Sequence, residues 1–177
     1  MAAYDAGDFA DAYVRLRERA DIAPLTGDVE LLDAWTHTRL GLIEEGAAIF
    51  ERRYRDNQDE QSAEGLLVVA METRDFARPQ RIARASGGPL AAIADPALAN
   101  RGALPKRLER IEADYLATWL DSVDAARDPL LPVRLANRLA PGVLERRDAP
   151  MAVRLGWRAY ERGAYAYARR WFAAALG

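Results

Sequence analysis

The chain has 177 residues, 50% of them hydrophobic and 29% charged, with a formal net charge of −2 and no cysteine. That length fits one domain or a short repeat array able to bury a core, and the missing thiols exclude disulfides, thiolate metal sites and cysteine nucleophiles without assigning a compartment. No segment approaches the roughly 18 consecutive apolar residues of a membrane-spanning helix, and runs such as Leu66 to Met71 are soon interrupted.

Met1-Ala2-Ala3-Tyr4 shows no signal-peptide pattern and runs straight into what reads as the end of a first helix. The following turn carries Gly7 and, two places on, Phe9. The same pair returns 34 residues later as Gly41 and Ile43, then as Arg74 and Phe76 without the glycine, and finally as Gly163 and Tyr165. On the second helix of each unit a small residue is expected at Ala12, Gly46 and Ala168, with Pro79 as the exception. Four residues further stand Leu16, Phe50, Ala83 and Phe172. A period of about 34 residues is that of one helix-turn-helix unit. Proline is tolerated in a first turn but breaks a hydrogen bond further in, so the third pair is expected to kink or to start late.

From Ala85 to Pro105 the text changes to Gly87-Gly88-Pro89, Asp95-Pro96 and Gly102, which predicts a loop or a series of short helical turns. Leu104 to Ala126 then reads as one long amphipathic helix, with Leu104, Leu108, Ile111, Tyr115, Leu116, Trp119, Leu120 and Val123 at steps of three and four. It is barely as long as the three or four heptads a dimerising seam needs, so a core element bridging two halves is expected. Asp128-Pro129 ends it, Leu130 to Leu139 predicts a short helix, Pro141-Gly142 a break, and Val143 to Arg147 one further turn. The last stretch predicts two closely crossed helices, with Gly156 facing Ala168 and with Tyr165 and Phe172 as fillers.

The expected fold is therefore all-α, an α-solenoid of helix-turn-helix pairs with an irregular helical insertion. Its parts are repeat-like pairs over 1–86, the first of them truncated, a loop-rich linker over 87–103, a long helix plus short helices over 104–147, and a final pair over 148–177. The register puts most of a first helix before Met1 and a further repeat after Gly177. The expectation is a segment cut from a longer solenoid whose targeting signals lie outside it.

Charge is uneven along the chain. Residues 1–60 carry 14 acids against 7 arginines, whereas 61–177 carry 13 acids against 18 basic residues, of which Lys106 is the one lysine. Arginine forks suit carboxylates and phosphates. Here they alternate with acids, as in Glu109-Arg110-Ile111-Glu112, and this argues for solvated helix faces rather than a nucleic-acid stripe. His37 is the sole histidine, so a histidine-pair metal site is excluded and a Ser/His/Asp relay would have to pass through it; a helix-surface or groove histidine is expected instead. Glu44-Glu45 and Asp59-Glu60 do not face one another on a helix and are expected to begin helices, where negative charge suits the dipole. No phosphate-cradling glycine motif is present, so no enzymatic role, cofactor or metal is expected.

Around 2–20, 28–56, 61–86 and 150–177 the chain resembles tetratricopeptide repeats. The last stretch matches nearly every signature site, and the third departs most, at Pro79. Ala159-Tyr160-Glu161-Arg162-Gly163, followed by Arg170-Trp171-Phe172-Ala173-Ala174-Ala175-Leu176, also resembles the end repeats of the periplasmic regions of bacterial outer-membrane exopolysaccharide export proteins, of the Pel and cellulose synthase type or the related phage-receptor type. The resemblance implies a non-catalytic scaffold in the periplasmic region of an outer-membrane protein. It would bind a partner protein, such as a polysaccharide hydrolase or deacetylase, or the polysaccharide itself, in a secretion complex connected with biofilm. The alternative is a cytoplasmic peptide-binding adaptor or regulatory domain.

Carried over residue by residue, the family's groove sites fall at Leu31, Trp35, Thr38 and Arg39, at Glu64, Val68, Met71 and Glu72, and at Val153, Trp157, Tyr160 and Glu161. Trp35 and Trp157 share a register site. Each is expected to pack between repeats or, if exposed, to offer an indole face to a sugar ring or a peptide. A chaperone-type carboxylate clamp would need lysines and asparagines where Arg39, Glu72 and Glu161 stand, and it is not expected.

Overall fold

The computed structural model describes residues 2–95, 104–123 and 126–177. Every regular element among them is an α-helix: α1 (Ala2–Asp5), α2 (Phe9–Ile22), α3 (Gly27–Arg39), α4 (Ile43–Asn57), α5 (Glu60–Thr73), α6 (Ala77–Ser86), α7 (Gly88–Ala94), α8 (Lys106–Ser122), α9 (Leu131–Glu145), α10 (Ala149–Glu161) and α11 (Tyr165–Leu176). The fold class is all-α. The chain divides into two compact units, Met1–Ile111 and Glu112–Gly177.

The turns within the pairs repeat one local device. Gly7, Gly41 and Gly163 sit at φ +80°, +79° and +72°, where a residue without Cβ is unstrained, and Arg74 takes the same register position at φ 59°. The junctions between pairs share another. Gln58 and Arg147, at φ 51° and 50°, each precede an aspartate that caps the next helix, Asp59 accepting from the Ser62 amide at 2.8 Å and Asp148 from the Met151 amide at 3.1 Å.

In the first unit α3 packs on α4, α4 on α5 and α6, and α5 on α3 and α7. The fully buried Phe50 of α4 is central. Its edge meets the Trp35 indole at a centroid distance of 4.9 Å, and its ring lies over Gly65 of α5, where a Cβ would come within 2.5 Å. Pro79 occupies the first turn of α6, where its missing N–H leaves no helical bond unmade, so the pair starts one residue late. Gly88–Ala94 is a short packed helix, with Leu90, Ile93 and Ala94 each 0% exposed. Tyr54 fastens it: the hydroxyl donates to the Gly87 carbonyl at 2.7 Å and accepts from the Leu90 amide at 2.9 Å. Residues 96–103, including the Gly102 turn signal, lie outside the described residues.

In the second unit the core takes Tyr115, Leu116 and Leu120 from α8, Leu135, Leu139 and Val143 from α9, Leu155 from α10 and Ala168 from α11. Two sequence expectations need correction. Pro141-Gly142 does not break the chain, because α9 runs through it as a single helix of 15 residues. The buried stripe of Leu135, Leu139 and Val143 continues across the proline, and both Pro141 and Asn137, whose carbonyl loses its helical partner, face solvent. At Gly156 the Phe172 ring is the filler, as expected, since a Cβ there would meet ring carbons at 2.6 to 3.0 Å. The helix expected over 104–126 is shorter at both ends, spanning Lys106–Ser122, with Leu104 and Val123 outside it and residues 124–125 outside the described set.

Candidate functional site

The residues singled out for chemistry are absorbed by packing. His37 is 6% exposed rather than on a surface or in a groove: its Nδ1–H donates to the Asp33 carbonyl at 2.8 Å and its ring meets Tyr13 edge-on at 5.2 Å. Asp33 also accepts from Arg17, so the histidine sits beside a carboxylate already held by a guanidinium. Glu44 and Glu45 lie in the first turn of α4, and Asp59 and Glu60 open α5. Among the described residues no group of three histidine, cysteine, aspartate or glutamate side chains is placed to hold a metal, and no helix is long and apolar enough to cross a membrane.

The candidate groove residues divide between the two units. In the first, Leu31 and Thr38 are each 7% exposed and present no open surface; the Thr38 hydroxyl donates to the Ala34 carbonyl at 3.0 Å. They are internal because α3 packs on α2, α4 and α5. Trp35, Val68 and Met71 are half-buried, Arg39 and Glu72 are exposed, and Glu64 is paired with Arg107.

The four residues of the second unit stand on one helix and stay open. Val153, Trp157 and Tyr160 are 40%, 55% and 51% exposed, and Glu161 is an exposed acid 3.5 Å from Arg158. Trp157 meets Phe172 at a centroid distance of 5.5 Å and Tyr160 at 5.7 Å, and Tyr160 meets Tyr165 at 5.3 Å, all edge to face. Tyr165, expected as a filler, is 63% exposed and extends this chain of rings instead. Edge-to-face contacts fix each ring's orientation, so the face is a preformed amphipathic surface of indole and phenol groups. Trp35 and Trp157 make the same contact, each with the phenylalanine 15 residues later.

Asp121 of α8 sets the inner side of α10. Its carboxylate takes a hydrogen bond from Arg154 and another from Arg158 Nε at 2.8 Å, while Arg158 also donates to the Asp121 carbonyl at 2.8 Å. Burial pushes this carboxyl up, but the hydrogen bonds and charges of the two arginines outweigh it and hold it below the usual carboxylate range. Because the folded pKa is the lower one, this contribution is present above about pH 4 and is lost as pH falls through the folded value. Asp121→Asn is expected to cost about 1–2 kcal/mol at neutral pH and to flatten the acid limb of the thermal stability profile followed by circular dichroism. An unchanged acid limb would show that the pair is not coupled to folding.

Two concavities complete the surface. In the first unit an open one of about 880 Å³ is bordered by polar groups, among them Gln58, Asp59, Glu60 and Arg107. In the second unit one of about 480 Å³ lies among α9, α10 and α11, with an apolar lining. Neither was signalled by sequence spacing, because each collects residues from distant segments. No protein-family model, curated protein or solved structure matches the chain.

Proposed function

We propose that this chain is a non-catalytic helical-repeat scaffold, an α-solenoid of tetratricopeptide-type pairs, that docks a partner protein on the aromatic face of α10 and α11. The observation that carries this reading is the continuous, open chain of Trp157, Tyr160 and Tyr165 rings, since tryptophan and tyrosine are enriched among the few residues that dominate the energy of protein interfaces. Further support comes from the recurrence of the Trp35–Phe50 contact as Trp157–Phe172 and of left-handed turn residues at Gly7, Gly41, Arg74 and Gly163. The sequence resemblance of the terminal stretch makes a periplasmic polysaccharide hydrolase or deacetylase of an exopolysaccharide secretion complex the partner to test first.

The test is a photo-crosslinking amino acid at position 157 in the producing cell, with the adduct identified by mass. A discrete protein adduct that Tyr160→Ala and Tyr165→Ala abolish supports the reading. The double variant Trp157→Ala/Tyr160→Ala should lower Tm by only about 2–5 °C, because both side chains are half in water already. No adduct, or a far larger fall in Tm, would make the rings structural and the proposal wrong. An adduct with a cytoplasmic protein would select the adaptor alternative.

A further inference from the structure

The concavity of about 480 Å³ in the second unit is built differently from the aromatic face. Its floor is formed by Leu120 and Leu155, which are only 2% and 3% exposed, together with Ala159. The cavity therefore reaches down to the core of this unit. One wall is the α9 face with Val133, Ala140 and Leu144, and the other is Trp171 of α11. Its lining includes three guanidinium groups, Arg158, Arg162 and Arg170, and no carboxylate. Arg158 is held rigid by its two hydrogen bonds to Asp121, whereas Arg162 and Arg170 are exposed and form no ion pair among the described residues.

Shape and charge together select the occupant. An α-helix with its side chains is about 10 Å across and would rest on the rim without filling a floor made of nearly inaccessible leucines. A slim apolar chain reaches that floor, and cavities of roughly 300–1,000 Å³ are the size that encloses small molecules. Free guanidiniums beside an apolar cavity, uncompensated by any acid in the lining, favour an anionic head group and oppose a cationic one. We propose that this cavity is a binding site for a single-chain amphiphilic anion, its apolar body lying between Val133, Leu144 and Trp171 and its carboxylate meeting Arg162 and Arg170. The site does not use the Trp157 face and does not depend on the docking reading.

The probe is dodecanoate, titrated below its micelle concentration at pH 8 by isothermal calorimetry, with dodecyltrimethylammonium as the charge-reversed control and quenching by 12-bromododecanoate to report on Trp171. Expected are one site per chain, quenching that Trp171→Phe removes, and binding of the cation at least tenfold weaker. Arg162→Gln/Arg170→Gln should weaken dodecanoate roughly tenfold without changing Tm, since both groups are exposed and unpaired. Ala140→Trp should fill the cavity and abolish binding while circular dichroism stays native. If that variant fails to fold, Val133→Trp, at a residue already 55% exposed, serves in its place. Trp157→Ala/Tyr160→Ala should leave affinity unchanged. Equal binding of the cation, several weak sites per chain, or affinity insensitive to both the arginine and the cavity-filling variants would overturn the proposal, whatever the result at position 157.

Discussion

Phe50→Ala should destabilise the first unit by about 3–5 kcal/mol, read from the urea midpoint at constant slope, because it removes a fully buried ring whose space its neighbours cannot close. The same ring makes a sharper prediction at Gly65. Alanine in a helix normally gains about 1 kcal/mol over glycine. Here the new methyl would lie 2.5 to 2.6 Å from three carbons of the Phe50 ring, so Gly65→Ala is expected to lose about 1–3 kcal/mol instead. Placed on a Phe50→Leu background, where the flat ring is gone, the same alanine should become neutral or stabilising. The double-mutant cycle thus carries the claim, since the coupling must change the sign of one substitution. A stabilising Gly65→Ala in the natural chain would show that α4 and α5 do not approach this closely.

What was legible in the sequence was local. A left-handed turn needs a glycine or tolerates strain in its place, and this requirement marks Gly7, Gly41, Gly163 and even Arg74 at a common register position. Close helix crossings leave small residues, which is why Gly156 stands out and why Phe172 could be named as a ring that fills the space beside it. Tertiary context decided the rest. A proline reads as a helix break, yet the buried side of α9 carries the helix past Pro141. Register places Leu31 and Thr38 on a groove, yet the neighbouring helices cover them. Of the aromatic face, Trp157 and Tyr160 were legible, but whether an indole packs or stays open depends on which elements lie against it. The apolar cavity was not legible at all: its floor and walls come from α8, α9, α10 and α11, and no single segment carries a pattern for it.

Tyr54→Phe tests the most demanding piece of the first unit. The hydroxyl bridges the Gly87 carbonyl and the Leu90 amide, so its removal leaves two backbone groups without their partner at a cost of about 1–3 kcal/mol. Gly88 is bound to the same arrangement, since at φ +69° a Cβ would lie 2.6 Å from that hydroxyl. Gly88→Ala therefore combines backbone strain of about 1–2 kcal/mol with crowding against that hydroxyl and, at 2.9 Å, against Gln58 Oε1. In the Tyr54→Phe chain the closest of these contacts is gone, and the double variant should cost less than the two single costs together. Alkali supplies an independent reading. Burial pushes the Tyr54 phenol up to about 12, the Leu90 amide pulling the other way and the Asp59 charge adding to the rise. With the folded pKa above the unfolded value near 10, this stabilisation is complete below about pH 10 and is lost as pH rises towards 12. The natural chain and Tyr54→Phe, well separated in urea midpoint at pH 7, should therefore converge at high pH. A constant gap between them would mean that the phenol ionises as freely in the folded protein as in the unfolded one and that its hydroxyl is not held away from water.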